Sequence, residues 1–224
     1  MVVSLEKIRF TYSKSKLALY LTNDELVLLF KKALQKSNIE VDFSKNFIEF
    51  ASSLELGIES TGEIAEITLK EDIDVSYFVK ALNDNLPQGV TILSAEKIEP
   101  LNLVKLNKRV LSSSYQIQIN YTKELLENKT ITEINALEKG YENKMNEYLS
   151  GDEVFVMKKS KNRMEKIDIK PKILDYNYDF NTLNITFLND NECNISPELF
   201  MDGFSQYLDN KVYFNAKRTK IDIG

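Results

Sequence analysis

Five cations fall within nine residues at Lys158, Lys159, Lys161, Arg163 and Lys166. Side chains of that type neutralise phosphates, and Lys170, Lys217, Arg218 and Lys220 extend the same charge. Neighbouring tyrosines would offer faces on which bases stack. The plain alternative is a charged turn that is simply solvated. A second pattern is acidic, with Glu49, Glu55, Glu59 and Glu63 spaced through one stretch. Four carboxylates could hold a hard cation, which takes several oxygen ligands. Strict alternation explains their positions equally well, as the wet face of a strand.

Composition removes several kinds of chemistry. The 224 residues include no histidine and one cysteine, so a histidine-based triad, a zinc site and an iron–sulfur cluster held by this chain are all excluded. Cys193 sits in the polar string Leu188–Ile195, where a lone thiol without a pKa-lowering neighbour is a loop residue. Seven glycines and no glycine-rich phosphate loop leave no standard nucleotide cradle. An enzyme working through Asp, Glu or Lys has no constellation behind it here, and no cofactor is expected. The net charge of −5 arises within residues 1–100, and the remainder balances. No apolar run is long enough to span a bilayer, and MVVSLEKIRF lacks the features of a secretion signal, so the expected location is the cytoplasm.

The elements that must position these residues follow from periodicity and caps. Ile8, Phe10 and Tyr12 alternate with polar residues and predict a strand, with Leu17–Leu21 as a second extended run after a polar turn. Thr22 and Glu25 form a capping box before a helix whose apolar face is Leu26, Leu29, Phe30, Ala33 and Leu34. From Ile48 to Ile58 apolar residues alternate, Ser60-Thr61-Gly62 reads as a turn, and Ala65, Ile67 and Leu69 continue on a return strand. Asp74 caps a second helix, and residues 89–94 form a strand.

The second half repeats the plan. Tyr115 to Tyr121 alternates as a strand, Thr130 and Glu133 make another capping box, and Ser196-Pro197 opens a final helix. Short strands flank the basic turn, residues 174–180 pair with 183–187, and 211–215 returns as a strand. This predicts an α+β protein of two tandem ferredoxin-like βαββαβ halves, with antiparallel sheets and helices on one face. The halves are 1–99 and 113–224, joined by a linker at 100–112.

Four segments together resemble the radical SAM-linked protein family, an uncharacterised bacterial domain. They are Ile8–Tyr12, the helix from Asp24 to Leu34, Phe50–Glu63 and Val154–Ile173. The block Leu56-Gly-Ile-Glu-Ser60 is the most specific part. The chain departs from the family where Leu21-Thr-Asn-Asp-Glu25 stands for a Ser-His-Leu-Asp-like sequence, and where Phe43–Phe47 replaces a longer loop carrying histidine, proline and glycine. The resemblance is therefore that of a divergent member without the family's histidine motifs.

The resemblance implies a non-catalytic accessory protein for a radical SAM partner, which would supply the cluster and SAM, with RNA or a ribosomal component as the substrate side. Arg9 and Lys170 match positions the family fills with basic residues, suited to a carboxylate or phosphate. The alternative is a stand-alone RNA-binding module using the basic 158–166 turn. Membrane association is not expected.

Overall fold

The structure is a computed structural model that describes residues 6–44, 46–99, 104–160, 163–190 and 194–224. The chain divides into two units. The first runs through residue 111 and includes 218–224; the second is 112–217. The final strand residues thus belong with the first unit, and 100–103 of the expected linker lie outside the described residues.

In the first unit the order is β1 (Glu6–Lys14), a 3₁₀ helix (Lys16–Tyr20), α1 (Asn23–Lys36), β2 (Ile48–Phe50), β3 (Glu59–Leu69), α2 (Val75–Asn85) and β4 (Val90–Ile98). β1 lies between β3 and β4, antiparallel to both, and β2 pairs antiparallel with β3. Strand alternation sends Ile8, Phe10 and Tyr12 to one face, where α1 and α2 cover them. Phe10 meets Phe30 of α1 at 5.4 Å and Phe78 of α2 at 5.8 Å between ring centroids. Both helices start as the sequence predicts. Thr22 and Glu25 complete the capping box, and the Asp74 carboxylate accepts from the Tyr77 N–H at 2.9 Å.

Two expectations for this unit are corrected. Leu17–Leu21 is not a strand but the 3₁₀ helix with its C-cap, because β1 already has a partner on each side and no ladder remains for a third. The alternating strand expected over 48–58 stops at Phe50, and Ser60-Thr61-Gly62 lies inside β3 instead of turning. The backbone of 51–58 is held by other bonds: Ala51 N–H to the Ile64 carbonyl at 2.9 Å and Gly57 N–H to the Leu19 carbonyl at 3.0 Å. Gly57 takes φ +83°, a conformation that glycine adopts without steric cost.

The second unit carries most of β5 (Val110–Asn120), then α3 (Lys123–Leu126), α4 (Ile131–Ser150), β6 (Phe155–Ser160), β7 (Arg163–Asp168), β8 (Ile173–Asp179), β9 (Thr182–Leu188), α5 (Pro197–Tyr207) and the start of β10 (Tyr213–Ile223). Its strand order is β10-β5-β9-β8, while β6 and β7 form a separate two-stranded sheet. Ile117, Ile119, Leu183, Ile185 and Phe187 are buried, as are Met145, Leu149, Phe200 and Phe204 of the helices. Thr130 and Glu133 cap α4, and Ser196 caps α5 with Pro197 at its first position, as the sequence predicts. The basic turn expected at 158–163 is largely strand, because β6 and β7 keep register from Phe155↔Asp168 to Ser160↔Arg163.

Candidate functional site

Among the described residues, the cations of the predicted basic turn divide between the two faces of one hairpin. Strand register pairs Lys159 with Met164 and Met157 with Lys166, which puts Lys159 and Lys166 on one face of the β6–β7 hairpin. Lys158 stands opposite Glu165 on the other face, and Arg163 donates to Glu165 at 2.6 Å. Lys166 Nζ lies 3.7 Å from the centre of the Phe155 ring, a cation–π contact. Lys170 donates to the Leu149 carbonyl at the end of α4, where a cation suits the exposed carbonyls. Lys161 and Cys193 lie outside the described residues. Tyr115 and Tyr178 are buried, so their rings are closed to stacking. Exposed strand positions of this unit include Gln116, Gln118, Asn177 and Asn184, and also Tyr213 on β10, which is 47% exposed with Lys211 Nζ 4.9 Å from its ring centre.

Arg9 is engaged within its own sheet. Its guanidinium meets Glu66 at 2.8 Å, Lys7 reaches the other carboxylate oxygen at 2.6 Å, and Arg109 approaches at 3.3 Å. Glu96 stands 3.5 Å from Arg9, and Glu49 is opposite Glu66 in register. The cluster is close to balanced, so the Arg9 charge is matched within its own sheet. Burial alone would raise the Glu66 pKa, yet hydrogen bonds from Lys7 and Arg9 hold it below the ordinary value of 4.5.

The folded state therefore binds fewer protons at Glu66 than the unfolded chain. That stabilisation is full above pH 4.5 and is lost as pH falls through the lowered pKa. Chemical denaturation across acid pH should give a steeper loss of stability for the wild type than for Glu66→Gln. Equal slopes would show that Glu66 does not govern the acid limb.

The glutamates of the alternating stretch separate too. Glu55 and Glu59 are exposed, Glu49 accepts from the Leu106 N–H at 3.0 Å, and Glu63 is buried. Glu63 forms a bidentate pair with Arg218, at 2.7 Å to Nε and 2.5 Å to a terminal nitrogen. Exposure is 2% for Glu63, 1% for Arg218 and 1% for Lys14, which completes the group. Burial pulls the Lys14 pKa below its usual value; Glu63 opposes that shift and Arg218 adds to it. Burial, and after it the Glu63 charge, push the Tyr12 phenol well above its ordinary pKa.

This cluster holds two surface segments in place. Lys14 Nζ donates to the Leu21 carbonyl at 2.6 Å, just after the 3₁₀ helix. Arg218 donates to the Ser53 carbonyl at 3.3 Å and the Ser52 carbonyl at 3.4 Å, at the start of the 51–58 loop. Asn23 of α1 bonds the Ser53 hydroxyl at 2.9 Å. Above these anchors Leu17 is 83% exposed, Tyr20 65% and Leu56 55%. A 3₁₀ helix has three residues per turn, so Leu17 and Tyr20 share a face, and the Gly57–Leu19 bond brings Leu56 alongside. Sequence reasoning missed the cluster, although a signal was there. Position 14 continues the series 8, 10, 12 and so predicts a lysine on the apolar face of β1.

These elements make an α+β protein of mostly antiparallel strands. The chain belongs to the family described as "Uncharacterized protein conserved in bacteria (DUF2344)", which matches residues 7–197. No curated protein matches it. Among solved structures, a chain from the crystal structure of a Cbf5-Nop10-Gar1 complex is similar with a TM-score of 0.45 and 10% identity. That similarity covers 95% of this chain and 49% of the other, so this chain spans about half of that chain's length. No helix among the described residues is long and apolar enough to cross a membrane.

Proposed function

We propose that this chain is a non-catalytic accessory protein of the cytoplasm that binds a radical SAM enzyme and presents an RNA or ribosomal substrate to it. In this reading each unit is a ferredoxin-like plait, and the partner carries the iron–sulfur cluster and SAM. The observation that carries it is the exposed apolar group Leu17, Tyr20 and Leu56, fixed over buried charges. Apolar side chains clustered at a surface mark interaction sites, and ordering them beforehand lowers the cost of binding. The block that best supports the family resemblance, Leu56–Ser60, begins in this group.

A stand-alone RNA-binding role is the second reading, supported by the separate β6–β7 sheet with Lys159 and Lys166 on one face. Division of the hairpin's described cations between two faces makes it the weaker one. Affinity capture of the tagged chain from native lysate, with and without ribonuclease, separates the two. Recovery of a radical SAM protein that resists ribonuclease is expected. Recovery of only ribonuclease-sensitive RNA or ribosomal proteins overturns the accessory role.

A further inference from the structure

We infer that the surface formed by the 3₁₀ helix Lys16–Tyr20 and the 51–58 loop docks a basic amphipathic segment, apolar at its centre and cationic at its rim. The inference rests on the accessory reading and specifies the chemistry of the partner's contact. Leu17, Tyr20 and Leu56 supply an apolar centre, and the nearest chain segments supply negative charge around it. Glu55 adjoins Leu56, Glu59 follows the loop, and Asp24 and Glu25 occupy the first turn of α1, which Asn23 ties to the loop through Ser53. All four acidic residues are exposed. Lys16 is the cation of these segments, Lys14 of β1 adds a charge that acts on Glu25, and the Glu25 carboxylate also accepts from the Thr22 N–H and hydroxyl.

Such a surface repels an acidic partner and steers a basic one, while the apolar centre supplies most of the affinity. The local backbone points the same way. Lys16 takes φ +53° directly before Leu17, a left-handed conformation that side chains other than Gly, Asn and Asp rarely adopt. Strain of this kind persists where surrounding structure enforces it, and here the Lys14 bond to Leu21 and the Ser15 N–H bond to Gly89 (2.8 Å) fix both ends of the turn.

The test uses the full chain and two synthetic amphipathic helical peptides of Leu and Lys, or of Leu and Glu, read by fluorescence anisotropy. The Lys peptide should bind about tenfold or more tighter than the Glu peptide and weaken as salt rises. Leu17→Ser with Leu56→Ser should lose most of that affinity, and Glu55→Gln with Glu59→Gln should lose the preference between peptides. These positions are exposed, so thermal unfolding of the variants should match the wild type. Equal binding of both peptides, no binding of either, or binding unchanged in the Leu17/Leu56 variant overturns the inference. Capture of a radical SAM protein without the peptide preference sinks this inference alone. The preference without such capture sinks the accessory reading alone.

Discussion

Glu63→Gln should lower stability by about 3–5 kcal/mol at neutral pH, the range for breaking a buried ion pair from one side. The substitution is nearly isosteric, so the loss is electrostatic and not a matter of volume. It leaves Lys14 and Arg218, both about 1% exposed, as two buried cations with their shared counter-charge gone. The cheapest relief is for Lys14 to shed its proton, since burial and Arg218 already lower its pKa and the Glu63 carboxylate is the main charge opposing them. The unfolded variant would then bind more protons than the folded one, so stability must climb as pH rises toward the ordinary lysine value of 10.5. Wild type should show the same slope in weaker form, because its Lys14 is shifted in the same direction. Arg218→Met should cost less than Glu63→Gln, since Glu63 keeps Lys14 nearby while the Ser52 and Ser53 contacts are lost. Urea denaturation of the three proteins between neutral and alkaline pH reads all of this. A Glu63→Gln variant that is unchanged, or that loses stability as pH rises, would remove the coupling between these charges.

How much of this was legible in the sequence depends on the kind of signal. Helix starts were, because Thr22 with Glu25, Thr130 with Glu133 and Ser196 with Pro197 each satisfy orphan backbone groups within a few residues. Strand β1 was equally plain from the alternation of Ile8, Phe10 and Tyr12. Leu17–Leu21 was not, since a short apolar run fits an extended chain or a tight helix equally well, and Ser53–Ile58 was not, since its alternation fits a strand or a loop. What decides between them is whether a neighbouring strand is free, which is a long-range fact. The internal partners of Arg9 and Lys170 were not legible for a related reason. Glu66 and the Leu149 carbonyl, which take up those charges, lie far away in sequence. The buried cluster stayed hidden because a charge within an alternating pattern reads as the wet face. That rule breaks when a distant strand brings the opposite charge, as Arg218 does 155 residues from Glu63.

The contact that brings Arg218 to Glu63 depends on a position with no side chain. Gly62 of β3 faces the backbone of β10 so closely that an added Cβ would sit 2.7 Å from the Thr219 carbonyl carbon and 2.8 Å from the Lys220 Cα. Both atoms are main chain, so no rotamer change can relieve the overlap. Gly62→Ala must push the two strands apart or twist one of them, and overpacking of this kind costs about 3 kcal/mol. The same displacement moves Arg218, which precedes Thr219, and strains its bonds to Glu63 and to Ser52 and Ser53. Loss of stability should therefore come with loosening of the 51–58 loop. Hydrogen exchange should show faster exchange at the Gly57 amide, whose partner is the Leu19 carbonyl at 3.0 Å. Combining Gly62→Ala with Glu63→Gln should cost less than the two changes added separately, because both disrupt the same contact. Full additivity in that double-mutant cycle would mean that strand spacing and the ion pair act independently, and the loop would then be held by its own backbone bonds and not by Arg218.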